Sequence, residues 1–184
     1  LRTLFSFQMV SLDGFFEGSK RELDWHNVDE EFHEFADRQL RAVDTLLFGR
    51  VTYQMMASFW PAATESDPII AGKMNALPKL VCSRTLTTVE WNNSKLIKGD
   101  LAEEVSKLKK QPGKDIALFG SGAVLSKLME ANLIDEHRIM IAPVLLGAGN
   151  PLFKKLEQRQ RLKVLRTTAF KSGNVLLVYG PQAN

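Results

Sequence analysis

The chain has 184 residues, 45% of them hydrophobic and 24% charged, which suits one compact domain (residues 1–184) with a sizeable core. A net charge of +3 is mild, and the one basic cluster, Lys154, Lys155, Arg159, Arg161 and Lys163, lacks interleaved aromatics, so it reads as a solvated face, not a nucleic-acid surface. No apolar run approaches the ~20 residues of a membrane span, and the single cysteine, Cys82, excludes an intrachain disulfide.

Residues 3–10 read as a first strand, rich in apolar and aromatic side chains. Residues 1–10 lack a basic start followed by a long apolar core and a small-residue cleavage site, so a cytoplasmic protein is expected. Residues 11–18 hold two glycines with Asp13 beside the first, which makes a loop. Its Phe15 and Phe16 either pack beneath the loop or line a pocket for a flat ligand. From Val28, the spacing of Phe32, Phe35, Ala36, Leu40 and Val43 predicts a helix. Asp29-Glu30-Glu31 at its start either complements the helix dipole or supplies a substrate-binding carboxylate. His26, His33 and His137 have no metal-ligand spacing, so no metal is expected.

A short strand at 45–48 ends at Gly49, and Arg50 and Thr52 open the next helix, which carries Tyr53, Met56, Phe59 and Trp60. Asp67-Pro68 starts another helix, to about Leu77. A third strand at 80–82 holds Cys82 as a buried, inert thiol and closes with Ser83-Arg84-Thr85, groups suited to an extra terminal phosphate. Short strands are expected at 87–91 and 95–97, then a helix capped by Asp100.

The organising stretch is 116–129. Four apolar residues, Ile116 to Phe119, are followed by Gly120-Ser121-Gly122 and a helix with Val124, Leu125, Leu128 and Met129 on one face. Strand, glycine turn and helix make either an anion site at the helix N-terminus or an ordinary turn that binds nothing. The pattern is neither a Walker A loop nor a full Rossmann fingerprint. A strand at 137–142 and a C-terminal hairpin at 161–170 and 175–179 complete the chain. The alternation predicts a three-layer α/β/α domain with a central, mostly parallel sheet and a C-terminal antiparallel hairpin. Ligands would lie along the carboxyl edge.

Ser11-Leu-Asp-Gly14, Leu47-Phe-Gly-Arg-Val-Thr-Tyr53, Val81-Cys-Ser-Arg-Thr85, Phe119-Gly-Ser-Gly122 and Leu133-Ile-Asp-Glu136 running into Ala142-Pro-Val-Leu-Leu-Gly147 follow one another along nearly the whole chain. Together and in this order they resemble the dihydrofolate reductase-like superfamily. The closer likeness is to the C-terminal reductase domain of bifunctional riboflavin-biosynthesis proteins, in a stand-alone form. The deaminase signature of those proteins is not among these residues.

The resemblance implies an NADPH-dependent reductase acting on a pterin- or aminopyrimidine-type heterocycle, often a homodimer. It implies that Gly49, Arg50 and Thr52 contact the pyrophosphate and adenosine side, and that Ser83 and Arg84 contact the 2′-phosphate. Phe119, Gly120, Ser121, Gly122, Ala123 and Val124 would form a second pyrophosphate clamp. Met9, Val10, Leu12 and Gly14 would border the nicotinamide, with Asp13 near the reacting centre. Phe16, Phe32 and Trp60 are stacking candidates for the heterocycle, and Asp29 stands nearest to the acid that holds the pterin in folate enzymes. The alternative to turnover is a non-catalytic NADPH-binding module or dimeric scaffold.

Overall fold

The computed structural model describes residues 1–153, 156 and 158–182. In chain order the elements are β1 (Leu4–Ser11), β2 (Phe15–Glu17), α1 (Glu30–Arg41), β3 (Val43–Gly49), α2 (Arg50–Phe59), α3 (Pro68–Ala76), β4 (Lys79–Cys82) and β5 (Ser94–Ile97). They continue with α4 (Leu101–Lys110), β6 (Asp115–Phe119), α5 (Gly122–Glu130), β7 (Glu136–Ala142), β8 (Asn150–Pro151), β9 (Leu162–Ala169) and β10 (Val175–Pro181). One eight-stranded sheet runs in the order β5-β4-β3-β6-β1-β7-β10-β9, and β2 pairs with β8 in a small second sheet.

The neighbours from β5 to β7 are parallel, and β10 and β9 add two antiparallel pairings. This is the mostly parallel sheet with a terminal hairpin expected from the sequence. Right-handed crossovers then decide the layers. Connections running from β1 towards β5 put α1, α2 and α3 on one face, and connections running back put α4 and α5 on the other. The core divides the same way. Leu118, Val105, Leu125 and Leu128 pack under α4 and α5. Phe48, Tyr53, Ile70 and Met74 pack beneath α2 and α3. A third cluster under α1 joins Phe35, Met140, Phe170 and Leu176.

Three expectations change. Residues 87–91 form no strand: β5 already occupies the edge of β4, pairing Lys79 with Ser94, and Leu86 and Val89 instead pack as loop residues against the core. The 11–18 loop contains β2, whose partner β8 lies more than a hundred residues away and gives no local signal. The first helix starts at Glu30 with Asp29 as its cap and ends at Arg41, and Val43 belongs to β3. Cys82 is an inert thiol, its pKa pushed up to about 12 by burial. Of the basic cluster, Lys154 and Lys155 lie outside the described residues.

Two imidazoles make stability pH-dependent. His26 stands edge-on to Trp25, with ring centroids 4.5 Å apart, and burial pushes its pKa down to about 4. Burial lowers His137 on β7 in the same direction. In the unfolded chain both titrate near ~6.5. Below that value the unfolded state binds protons that the folded state refuses, so stability is full above ~6.5 and falls as pH drops towards about 4. The difference in urea midpoint between about pH 7 and about pH 5 is expected to shrink in His26→Gln. An unchanged difference would contradict this reading.

Candidate active site at the carboxyl edge of the sheet

Because β1, β3, β4, β6 and β7 are parallel, their carboxyl ends meet along one edge. They do not end level. β6 pairs with β1 as far as Phe7 and Phe119 and then turns away. β1 runs on through Gln8, Met9, Val10 and Ser11, paired with β7 alone. A ledge therefore opens on the β6 side of β1. Here β6 connects through α5 towards β7 while β1 and β3 connect the other way, the switch-point arrangement in which open α/β sheets hold ligands.

Two glycine turns flank this ledge, after β3 and after β6. Gly120 and Ser121 both adopt left-handed backbone, with φ of 60° and 61°. A Cβ on Gly120 would stand 2.6 Å from Thr52 Oγ1, so only glycine lets the two turns touch. The turns are then tied together. The Gly49 N–H donates to Ser121 Oγ at 2.6 Å, and the Ser121 hydroxyl donates to Thr52 Oγ1 at 3.0 Å. From the other side, Gln8 Nε2 donates to the Gly120 carbonyl at 2.9 Å.

The two helices that start here differ from the rest. Helices α1, α3 and α4 begin with Asp29, Asp67 and Asp100, each accepting a backbone N–H in the first turn. Helices α2 and α5 have no side-chain cap and no acid in their first turn. Their free N–H groups and dipole ends are uncompensated, and Arg50 adds an exposed cation. An anion placed at this edge would meet unpaired donors and positive charge.

The register also brings the remaining predicted cofactor-side residues here. Gly49 is level with Cys82, so Ser83 and Arg84 follow beside the first turn. Ser83 Oγ accepts the N–H groups of Thr85 and Leu86, at 3.2 and 3.0 Å, and Arg84 is exposed. Met9, Val10 and Val124 are buried, and Ala123 is exposed at the start of α5. Leu12 and Gly14 are exposed on the loop beyond the ledge. Asp13 fastens that loop to the one after β7: Oδ1 accepts from Ser11 Oγ at 2.7 Å and from the Leu146 amide at 3.1 Å, and Oδ2 accepts from the Gly147 amide at 2.8 Å. The Ser11 hydroxyl, helped by these amides, lowers its pKa, so Asp13 is a carboxylate near neutral pH.

The substrate-side residues are not gathered at one point. Phe16 packs towards the α4–α5 core and Phe32 towards the α1 core. Phe32 belongs to an aromatic group with Phe7 and Phe35, and Phe7 also meets Phe119 at 6.1 Å. Asp29 spends Oδ1 on the Phe32 amide, at 2.9 Å. Trp60 follows the end of α2, about 15 Å along the helix from Gly49, and its indole N–H meets Met56 Sδ at 3.0 Å. Gln8, Phe7 and Phe35 had no sequence signal beyond strand or helix periodicity. A cavity of about 360 Å³ bordered by Met129, His137 and Arg161 lies at the opposite edge and touches none of these residues.

Comparison with known proteins gives the family and the fold. The RibD C-terminal domain family matches residues 2–176. The chain is 38% identical over 174 residues to the uncharacterized protein YyaP of Bacillus subtilis, covering 92% of this chain and 90% of that protein. A crystal structure of a candidate riboflavin biosynthesis protein from Shewanella sp. PV-4 superposes with a TM-score of 0.75 and 28% identity, covering 98% of this chain and 99% of that one. The diaminohydroxyphosphoribosylaminopyrimidine deaminase/5-amino-6-(5-phosphoribosylamino)uracil reductase of Thermotoga maritima shares the fold, with a TM-score of 0.67, 12% identity and coverage of 98% of this chain and 57% of that one. Dihydrofolate reductase from Enterococcus faecalis, complexed with NADP(H), also shares the fold, with a TM-score of 0.59, 12% identity and coverage of 98% and 97%.

Gly120→Ala is expected to lose about 1–3 kcal/mol of stability, from left-handed strain and the contact with the buried, β-branched Thr52. A urea midpoint equal to that of the unsubstituted chain would show that the turns are not locked together. The fold and the residues matched establish that the chain belongs to the RibD C-terminal domain family.

Proposed function

We propose that this protein is an NADPH-dependent reductase that reduces a C=N or C=O bond in a flat heterocycle of the aminopyrimidine or pterin type. The observation that carries this is the pair of uncapped, acid-free helix N-termini locked side by side at the switch point. Family membership and the riboflavin-type reductase and dihydrofolate reductase neighbours support it.

The donor set fits a dinucleotide. The N–H groups of the first turns of α2 and α5, with Arg50, would hold the pyrophosphate. Ser83, whose oxygen accepts two amides and whose hydroxyl also lies 3.4 Å from Thr85 Oγ1, would turn its hydrogen to a 2′-phosphate, and Arg84 brings the charge. The ledge of Met9 and Val10, with Leu12 and Gly14 beyond it, would border the nicotinamide. The cofactor supplies the hydride; the protein supplies orientation and a proton route.

Asp13 is the catalytic candidate, in a specific form. As a carboxylate it has no proton of its own to give at neutral pH. It would hold the water that protonates the substrate, while fixing the two loops over the ledge. Asp29 Oδ2 would take a ring N–H, whereas Phe16 and Phe32, packed towards cores on opposite faces of the sheet, and Trp60, beyond the end of α2, are too dispersed to stack together on one heterocycle. A homodimer suits the edge strand β9, exposed along its whole length with Val164 and Leu165 on it. A cytoplasmic location suits an NADPH-dependent activity.

The test is NADPH oxidation in the presence of a panel of aminouracils and pterins. At least one is expected to be reduced, with NADPH preferred over NADH by ~10-fold or more, a preference that Arg84→Ala removes. Binding of NADPH without oxidation by any panel member would refute the enzyme. Asp13→Asn is expected to slow the reduction ~10²-fold. Unchanged turnover would remove Asp13 from the reaction.

A further inference from the structure

Gln8 is an odd residue for its place. It lies in the middle strand region of β1, 1% exposed, and its Nε2 donates to the Gly120 carbonyl at 2.9 Å. Its Oε1 is equally buried and has no partner among the described residues. The orientation of the amide is not in doubt chemically, because a carbonyl accepts only from the nitrogen end. A methionine of similar length would remove the unpaired Oε1 but would leave the Gly120 carbonyl without its Gln8 donor.

What Gln8 gains lies in the register. The β1–β6 ladder ends at Phe7 and Phe119, and the next rung would pair Gln8 with Gly120. The backbone cannot form it, since Gly120 and Ser121 have already swung into left-handed conformation to launch α5. The Gln8 side chain makes that rung instead. It grips the carbonyl of the first residue of the turn while Ser121 grips the β3 side through Gly49 and Thr52. The peptide planes of the turn are thus held from both sides before any ligand arrives, and held amides bind an anion without the cost of being ordered.

We propose that Gln8 is a cofactor-positioning residue: its amide fixes the Gly120 turn so that the free N–H groups of α5 face the dinucleotide. The cofactor itself rests on the function proposed above. Gln8 touches neither pyrophosphate nor substrate in this role, and acts through Gly120 alone.

The test uses Gln8→Met and, as a second apolar variant, Gln8→Leu. The first measurement needs no cofactor. The amides of Gly49 and Leu125 both bond to Ser121, the first to its hydroxyl and the second to its carbonyl, and so report on the turn. The Glu104 amide, bonded to Asp100 at the start of α4, serves as reference. Hydrogen exchange at Gly49 and Leu125 is expected to quicken ~10-fold relative to Glu104, the loss of one hydrogen bond. The urea midpoint is expected to change little, because the unpaired Oε1 goes while the Gly120 carbonyl loses its donor. NADPH affinity, read by tryptophan quenching, is expected to fall ~10-fold. Unchanged exchange at both amides would overturn the proposal. A fall in urea midpoint matching the loss of affinity would also overturn it, since that is what a purely structural residue would give. If the unsubstituted chain binds no NADPH, the proposed cofactor fails, and the exchange result still decides whether Gln8 positions the turn.

Discussion

The site hangs on one hydroxyl. Ser121 Oγ takes the Gly49 N–H and donates to Thr52 Oγ1, which joins the turn after β3 to the turn after β6. Without it the two helix N-termini would be separate, each with a partial positive charge of about half a unit. With it they form one surface of fixed width. The bond is possible because Gly49 and Gly120 lack side chains at the contact: a Cβ on Gly49 would lie 2.7 Å from Ser121 Oγ, and one on Gly120 would meet Thr52.

The rest of the fold delivers those turns to one place. Parallel pairing keeps β3 and β6 in register up to Leu47 and Leu118, two residues short of Gly49 and Gly120. The longer β1 supplies the ledge. Asp caps neutralise α1, α3 and α4, so among the described α-helices the uncompensated positive ends are those of α2 and α5. Asp13 then ties the two loops that frame the ledge. The electrostatics and the topology single out the same edge by independent routes.

Much of this was legible in the sequence, because it rests on local chemistry. Gly-Ser-Gly after an apolar strand, Gly-Arg-x-Thr after another, and Ser-Arg after a third can each be read within a few residues. So could the caps Asp67 and Asp100, and the terminal hairpin. What could not be read depends on distant partners. The Ser121 bonds cross about seventy residues, and the Gln8 bond crosses 112. Nothing near Gln8 marks it as more than one polar residue in a strand. The β2–β8 pair is equally remote, and 87–91 looks like a strand until β5 is seen to hold the only vacant edge beside β4. Trp60 has the right chemistry for stacking, yet helix geometry carries it a full helix length from the first turn.

If the reductase reading holds, the two turns act as one dinucleotide site. The most direct measurement is a backbone amide NMR titration of the chain with NADPH. The amides of residues 50–52 and 121–124 are expected to shift together, with one shared dissociation constant, while those opening the Asp-capped helices stay still. Shifts confined to one turn, or found only elsewhere on the surface, would contradict it.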